Sequence, residues 1–148
     1  MGVVYYARYL EWFEVARTEW LRAQGRSYEQ LEAEGLFLPV SEVWCRYRSR
    51  IGYADEVDIT TWCEKPPRAT IEFQYRVEAV ETGRLVCEAH TRHPFVNAAD
   101  GRPRRAPQWI RTLLTHEKRP ETPLAADGIT GKNSAENETR KSGKSGTP

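Results

Sequence analysis

Few residues in this chain are of a type and in a place to do chemistry. Glu11 and Glu14 are the candidate carboxylates on the first helical stretch, where one of them could act as a general base. His90 and His93 come late in the chain with no nucleophilic Ser or Cys motif near them, so they read as surface or pocket-rim residues. Cys45, Cys63 and Cys87 are odd in number and widely spaced. They form neither a zinc pair nor an even disulfide set, and reduced thiols of a cytoplasmic protein are expected. No His/Asp/Cys cluster has the spacing of a metal site, so no metal is implied. Arg102, Arg104 and Arg105 follow the Asp100-Gly101 turn, and Arg68 follows the Pro66-Pro67 break. Guanidinium groups so gathered suit phosphate; the competing reading is a solvated basic loop. With 22 Lys and Arg against 21 Asp and Glu, and no aromatic interleaving around the arginines, nucleic acid is not expected as a partner. Tyr5 and Tyr6, just ahead of the helix, read by periodicity as core packing.

The elements that must position these residues are legible in outline. Ala7 to Ala23 contains no Gly or Pro and is followed by Gly25, which predicts one helix. At 100° per residue, Tyr6, Tyr9, Leu10, Phe13, Ala16, Trp20 and Leu21 fill a broad apolar arc, and Glu11, Glu14, Thr18 and Arg22 a narrower polar one. Arg17 points into the apolar arc, as a substrate or interface contact or as a structural Arg paired with a carboxylate or backbone carbonyls. A short helix is expected from Ser27 to Glu34, with Ser27 and Gln30 as a capping box and Gly35 as its end. The period then changes to two. Leu38 to Ile51 reads as a long strand with Val43, Cys45 and Tyr47 on one face and Arg46 and Arg48 on the other. Val57 to Cys63, Ala69 to Ala79 and Leu85 onward follow as strands, with Pro94 marking an edge, a bulge or an end. Pro107 to Leu114 is a candidate terminal helix.

All sixteen aromatic residues lie at or before Trp109, and from Lys118 onward apolar side chains are scarce. The expected organisation is a folded unit over 1–117 and a disordered tail over 118–148. No stretch has the roughly 20 apolar residues of a membrane span, and the charged opening stretch does not fit a signal peptide, so membrane insertion is not expected. A sheet with one apolar face must cover something, and the only long apolar helix comes first. The expected fold is therefore α+β, an antiparallel sheet wrapped round a long central helix.

Gly2-Val3-Val4-Tyr5-Tyr6-Ala7-Arg8-Tyr9-Leu10, followed by Phe13-Glu14-Val15-Ala16-Arg17-Thr18-Glu19, resembles the signature of the hotdog-fold acyl-CoA thioesterases. The branch it looks most like contains 4-hydroxybenzoyl-CoA thioesterase and the thioesterases associated with the Tol–Pal system. Tyr53-Ala54-Asp55-Glu56 and Asp100-Gly101-Arg102-Pro103-Arg104-Arg105-Ala106-Pro107 continue the likeness, which covers roughly residues 2 to 114. Two departures stand out. The family's first strand, ending in Asp-x-Met-Gly-Val-Val-Tyr, would precede Met1, and His93-Pro94-Phe95 interrupts a strand that usually runs without Pro.

The resemblance implies hydrolysis of acyl-CoA thioesters by an upstream Asp acting as base or nucleophile, without a cofactor. It also implies a homodimer or homotetramer with the acyl-CoA groove between subunits. It matches Tyr6 to the residue whose backbone N–H faces the thioester oxygen, with Tyr5 beside it against substrate. It gives Arg68, Arg102, Arg104 and Arg105 to the phosphates of coenzyme A. Without its carboxylate, the alternative is a non-catalytic acyl-CoA-binding or interaction protein.

Overall fold

A computed structural model describes residues 2–115 of the chain, so the expected tail lies outside the described residues. Helix α1 spans Arg8–Ala23 and buries Tyr9, Trp12, Phe13, Ala16, Arg17, Trp20 and Leu21, a stripe with three- and four-residue steps. The stripe is narrower than the expected arc. Tyr6 precedes the helix and is 63 % exposed, Leu10 is 43 % exposed, and Trp12 takes their place inside. The reason is geometric: the sheet covers α1 from one side, so only the side chains aimed at that side are buried. The chain leaves the helix at Gly25, whose φ of +73° would strain any side chain and whose N–H bonds the Arg22 carbonyl at 2.8 Å.

Helix α2, Tyr28–Ala33, starts on the expected capping box. Ser27 Oγ accepts from the Gln30 N–H at 3.2 Å, and Gln30 Oε1 accepts from the Ser27 N–H at 2.9 Å. Strand β1, Leu36–Phe37, pairs antiparallel with β6, Val96–Asn97. The main sheet holds β2 (Glu42–Tyr47), β3 (Val57–Trp62), β4 (Thr70–Ala79) and β5 (Leu85–Pro94) in the order β2-β5-β4-β3, all antiparallel. Helix α3, Gln108–Leu114, closes the domain behind Pro107. Among the described residues no helix is long and apolar enough to cross a membrane.

One expectation about the strands needs correction. The long strand over Leu38 to Ile51 is only the six residues of β2. Pro39 has no N–H to give a ladder, and pairing begins only where the Ser41 N–H meets the Arg92 carbonyl at 2.8 Å. At the other end the Arg48 and Ser49 N–H groups crowd onto the single Val86 carbonyl at 2.8 and 3.3 Å, and the ladder stops. β2 is an edge strand with Val43, Trp44 and Tyr47 nearly half exposed. β4, by contrast, alternates as expected: Ile71, Phe73, Tyr75, Val77 and Ala79 are buried, and the residues between them are half-exposed. Pro94 is the last residue of β5.

The core draws on every layer, and at its centre α1 side chains meet β4. Phe13 is fully buried and stacks on Tyr75 with ring centroids 4.5 Å apart, and Trp20 meets Phe73 edge-on at 5.1 Å. Phe13→Ala removes the centre of this contact and is expected to cost about 3–5 kcal/mol. A denaturant melt of the variant with an unshifted midpoint would place the core elsewhere.

Candidate active site at the start of the central helix

The segment ahead of α1 is pinned from two sides. Val3 pairs with Gly52, and the Val4 N–H bonds the Ile51 carbonyl at 3.0 Å. The turn that receives them is tied by Asp55, whose Oδ2 accepts from the Gly52 N–H at 2.7 Å. From the sheet, Tyr47 Oη donates to the Tyr6 carbonyl at 3.0 Å. Helical bonding starts with Arg8 N–H to the Tyr5 carbonyl at 3.0 Å and Leu10 N–H to the Ala7 carbonyl at 3.1 Å. The N–H groups of Tyr6 and Ala7 therefore precede the first turn, and Ala7 at the N-cap offers no side-chain acceptor to occupy them. An uncapped helix start presents free donors and the positive end of the peptide dipoles, which suits a developing oxyanion.

Tyr5 and Tyr6 stand at this opening, not in the core as periodicity suggested. They are 59 % and 63 % exposed, with ring centroids 4.5 Å apart. Beneath the opening, Tyr9 meets Tyr47 edge-on at 4.9 Å, and burial pushes its phenol up to about 12. Cys45 and Cys87 lie alongside with sulfurs 3.1 Å apart. The hydrogen bond between them pulls the Cys45 thiol down and pushes the Cys87 thiol up. All three cysteines are free thiols. Tyr47 was not singled out as a site residue from the sequence, although it shares a strand face with Cys45.

The helix carboxylates are solvated. Glu11 is exposed and pairs with Arg8 at 2.9 Å, and Glu14 is exposed further along the helix. Neither sits in the dry surroundings that tune a carboxyl for base chemistry.

The four arginines are exposed but only partly gathered. The Ala106 N–H bonds the Arg68 carbonyl at 2.6 Å, which sets the backbone of Arg68 beside that of Arg105. Arg104 donates from Nη1 to the Gly35 carbonyl at 3.3 Å, and Arg102 reaches toward Asp100 at 3.9 Å at the tip of the β6 turn.

The expectation of a surface or rim position is corrected at His93 alone. His90 is half-buried and lies flat against Trp44 with centroids 5.3 Å apart. His93 is 1 % exposed: it belongs to the core, at the end of a polar chain. Its Nδ1 and the Leu38 carbonyl are 3.2 Å apart, its Nε2 and Thr91 Oγ1 2.8 Å, and Thr91 Oγ1 and Tyr75 Oη 2.8 Å. Arg17 starts the chain, donating from Nη1 to Tyr75 Oη at 3.1 Å. The expectation that a structural Arg17 pairs with a carboxylate or carbonyls is thus corrected: its partners are hydroxyls, which the spacing of residues distant in sequence could not reveal.

A sheet packed on a long helix, with an open helix start pinned against it, is the arrangement of the thioesterase-like superfamily. The model of that family matches residues 1–114, and the chain belongs to it. A Bacillus subtilis (strain 168) relative named "Putative acyl-CoA thioesterase YneP" is 30 % identical over 113 residues, covering 74 % of this chain and 81 % of the relative. Among solved structures, the DHNA-CoA thioesterase from Staphylococcus aureus is 32 % identical with a TM-score of 0.67, over 71 % of this chain and 70 % of that one. The hypothetical protein TT1821 from Thermus thermophilus is also 32 % identical, with a TM-score of 0.70 over 78 % and 86 %. The hotdog α+β fold is thereby established for this chain.

Proposed function

We propose that this protein hydrolyses acyl-CoA thioesters to the free acid and coenzyme A. The observation that carries the reading is the uncapped start of α1, with the Tyr6 and Ala7 N–H groups ahead of the first helical bond and the peptide dipoles behind them. The thioester oxygen accepts from the Tyr6 N–H, and the negative charge that develops on it is held by backbone alone. Tyr5 and the Tyr6 side chain wall the opening. The base or nucleophile is an Asp placed upstream of Met1, as the resemblance to the 4-hydroxybenzoyl-CoA and Tol–Pal branch implies. The similarity to the Staphylococcus aureus thioesterase supports a coenzyme A thioester as substrate. The direct test follows thiol release from a panel of aromatic and aliphatic acyl-CoAs. Binding of these compounds with no release from any of them, even by a chain extended to carry the Asp, would favour a non-catalytic acyl-CoA-binding protein.

Arg68, Arg102, Arg104 and Arg105 are the proposed phosphate contacts of coenzyme A. Replacing Arg102, Arg104 and Arg105 together by Ala is expected to weaken binding of free coenzyme A. The difference from the parent chain should shrink at high salt, where exposed charges are already screened. Equal affinity at low salt would reduce the cluster to a solvated loop.

The edge strand β2, with its half-exposed Val43, Trp44 and Tyr47, is the surface on which we expect a second copy to pair. A homodimer or homotetramer in the cytoplasm, with the groove between subunits, is the proposed working form. Light scattering that returns a monodisperse monomer would remove the shared groove along with the dimer.

A further inference from the structure

Arg17 is 7 % exposed, and among the described residues no carboxylate forms an ion pair with it. Its partners are the hydroxyls of Tyr75, at 3.1 Å, and Tyr28. Both are phenols whose proton affinity burial raises, so they stay neutral. Its Nε–H is buried with no acceptor. A buried guanidinium is ordinarily matched by an anion, because neutral partners recover only part of the hydration it has lost. The polar chain beyond Tyr75 supplies no negative charge. Arg17 donates to Tyr75, and the contacts from Tyr75 to Thr91 and from Thr91 to His93 are compatible with one continuous donor direction, with the other ring nitrogen of His93 facing the Leu38 carbonyl. At the end of that chain, burial and then the Arg17 charge hold His93 down at about 4, neutral at ordinary pH.

Arg17 also lines an open cleft of about 560 Å³, a volume typical of small-molecule sites. The other walls include Leu36, Leu38, Pro39, Val40 and Val96, all apolar. Glu14 and Glu32 line it as well, but both are exposed, so water screens them as it cannot screen Arg17.

We propose that this cleft binds an amphipathic monocarboxylate, its carboxylate on Arg17 and the Tyr28 hydroxyl and its apolar body along the Leu38–Val40 wall. Arg17 lies nine residues beyond Arg8, the first residue of α1, roughly 13 Å along the helix axis. The site is therefore separate from the donors at the helix start and does not depend on hydrolysis there.

Decanoate is a suitable probe, and 1-decanol is its neutral counterpart. Calorimetric titration of the full chain should show decanoate binding at least about tenfold more tightly than decanol, the size of a charge-assisted hydrogen bond. Arg17→Met keeps an apolar side chain of similar reach and should remove that preference. Val40→Trp, at a side chain 48 % exposed, should fill the cleft and weaken decanoate without touching Arg17. NMR titration supplies a readout that a merely structural Arg17 would not move: saturating decanoate should raise the His93 pKa, because the carboxylate cancels the charge that depresses it. Equal affinity for decanoate and decanol, no binding of decanoate, or undiminished binding by the Val40→Trp variant would each overturn the proposal. Those three outcomes decide it even if Arg17→Met does not fold.

Discussion

A chain extended at its start by a strand that ends in Asp two residues before Met1 is expected to hydrolyse acyl-CoA faster than the 148-residue chain by about 10² to 10⁴, the usual worth of a positioned base. The sheet has room for the added strand. β3 is its edge opposite β2, and its outer side carries no partner among the described residues. Val3, paired to Gly52, already brings the start of the chain to the turn that leads into β3. The carboxylates already on α1 are poor substitutes. Glu11 is engaged by Arg8 at 2.9 Å, and both Glu11 and Glu14 face water. Thiol release by the two chains decides the point, with Asp→Asn in the extended chain returning it to the lower rate. Equal turnover would move the base to Glu11 or Glu14, and Glu14→Gln or Glu11→Gln would then abolish what remains.

Tyr6→Pro deletes one N–H and should lower kcat by about 10² to 10³, as the loss of a single oxyanion donor does. Tyr6→Phe and Tyr6→Ala keep that N–H and should stay within a few-fold of the parent. The contrast is sharp because the Tyr6 side chain is 63 % exposed and contributes little to the core. Proline also restricts Tyr5 before it, so the variant's melting temperature must be compared with that of the parent chain. If Tyr6→Phe loses as much activity as Tyr6→Pro, the phenol acts and the backbone does not. If none of the three loses activity, the helix start is not where the thioester binds.

The sequence by itself determined the local elements. A run without Gly or Pro makes α1, a Ser and a Gln three residues apart start α2, and strict alternation from Ile71 to Ala79 makes β4. Each is decided by neighbours within a turn or a pleat, which is why it can be read off in one dimension. The resemblance at Gly2 to Leu10 carried the family for the same reason, since a pinned helix start needs a contiguous motif. Tertiary structure alone decided which side chains are dry and what they touch. Tyr6, Leu10 and Trp12 have similar apolar character, but only Trp12 faces the sheet, so only Trp12 is buried. The strand over Leu38 to Ile51 is short because Pro39 has no N–H at one end and, at the other, Arg48 and Ser49 share the single Val86 carbonyl of β5, a limit set some forty residues away. Arg17 and His93 form the plainest case. They belong to one hydrogen-bonded chain through Tyr75 and Thr91 that spans α1, β4 and β5, and no local spacing marks residues that meet only when a helix is laid across a sheet.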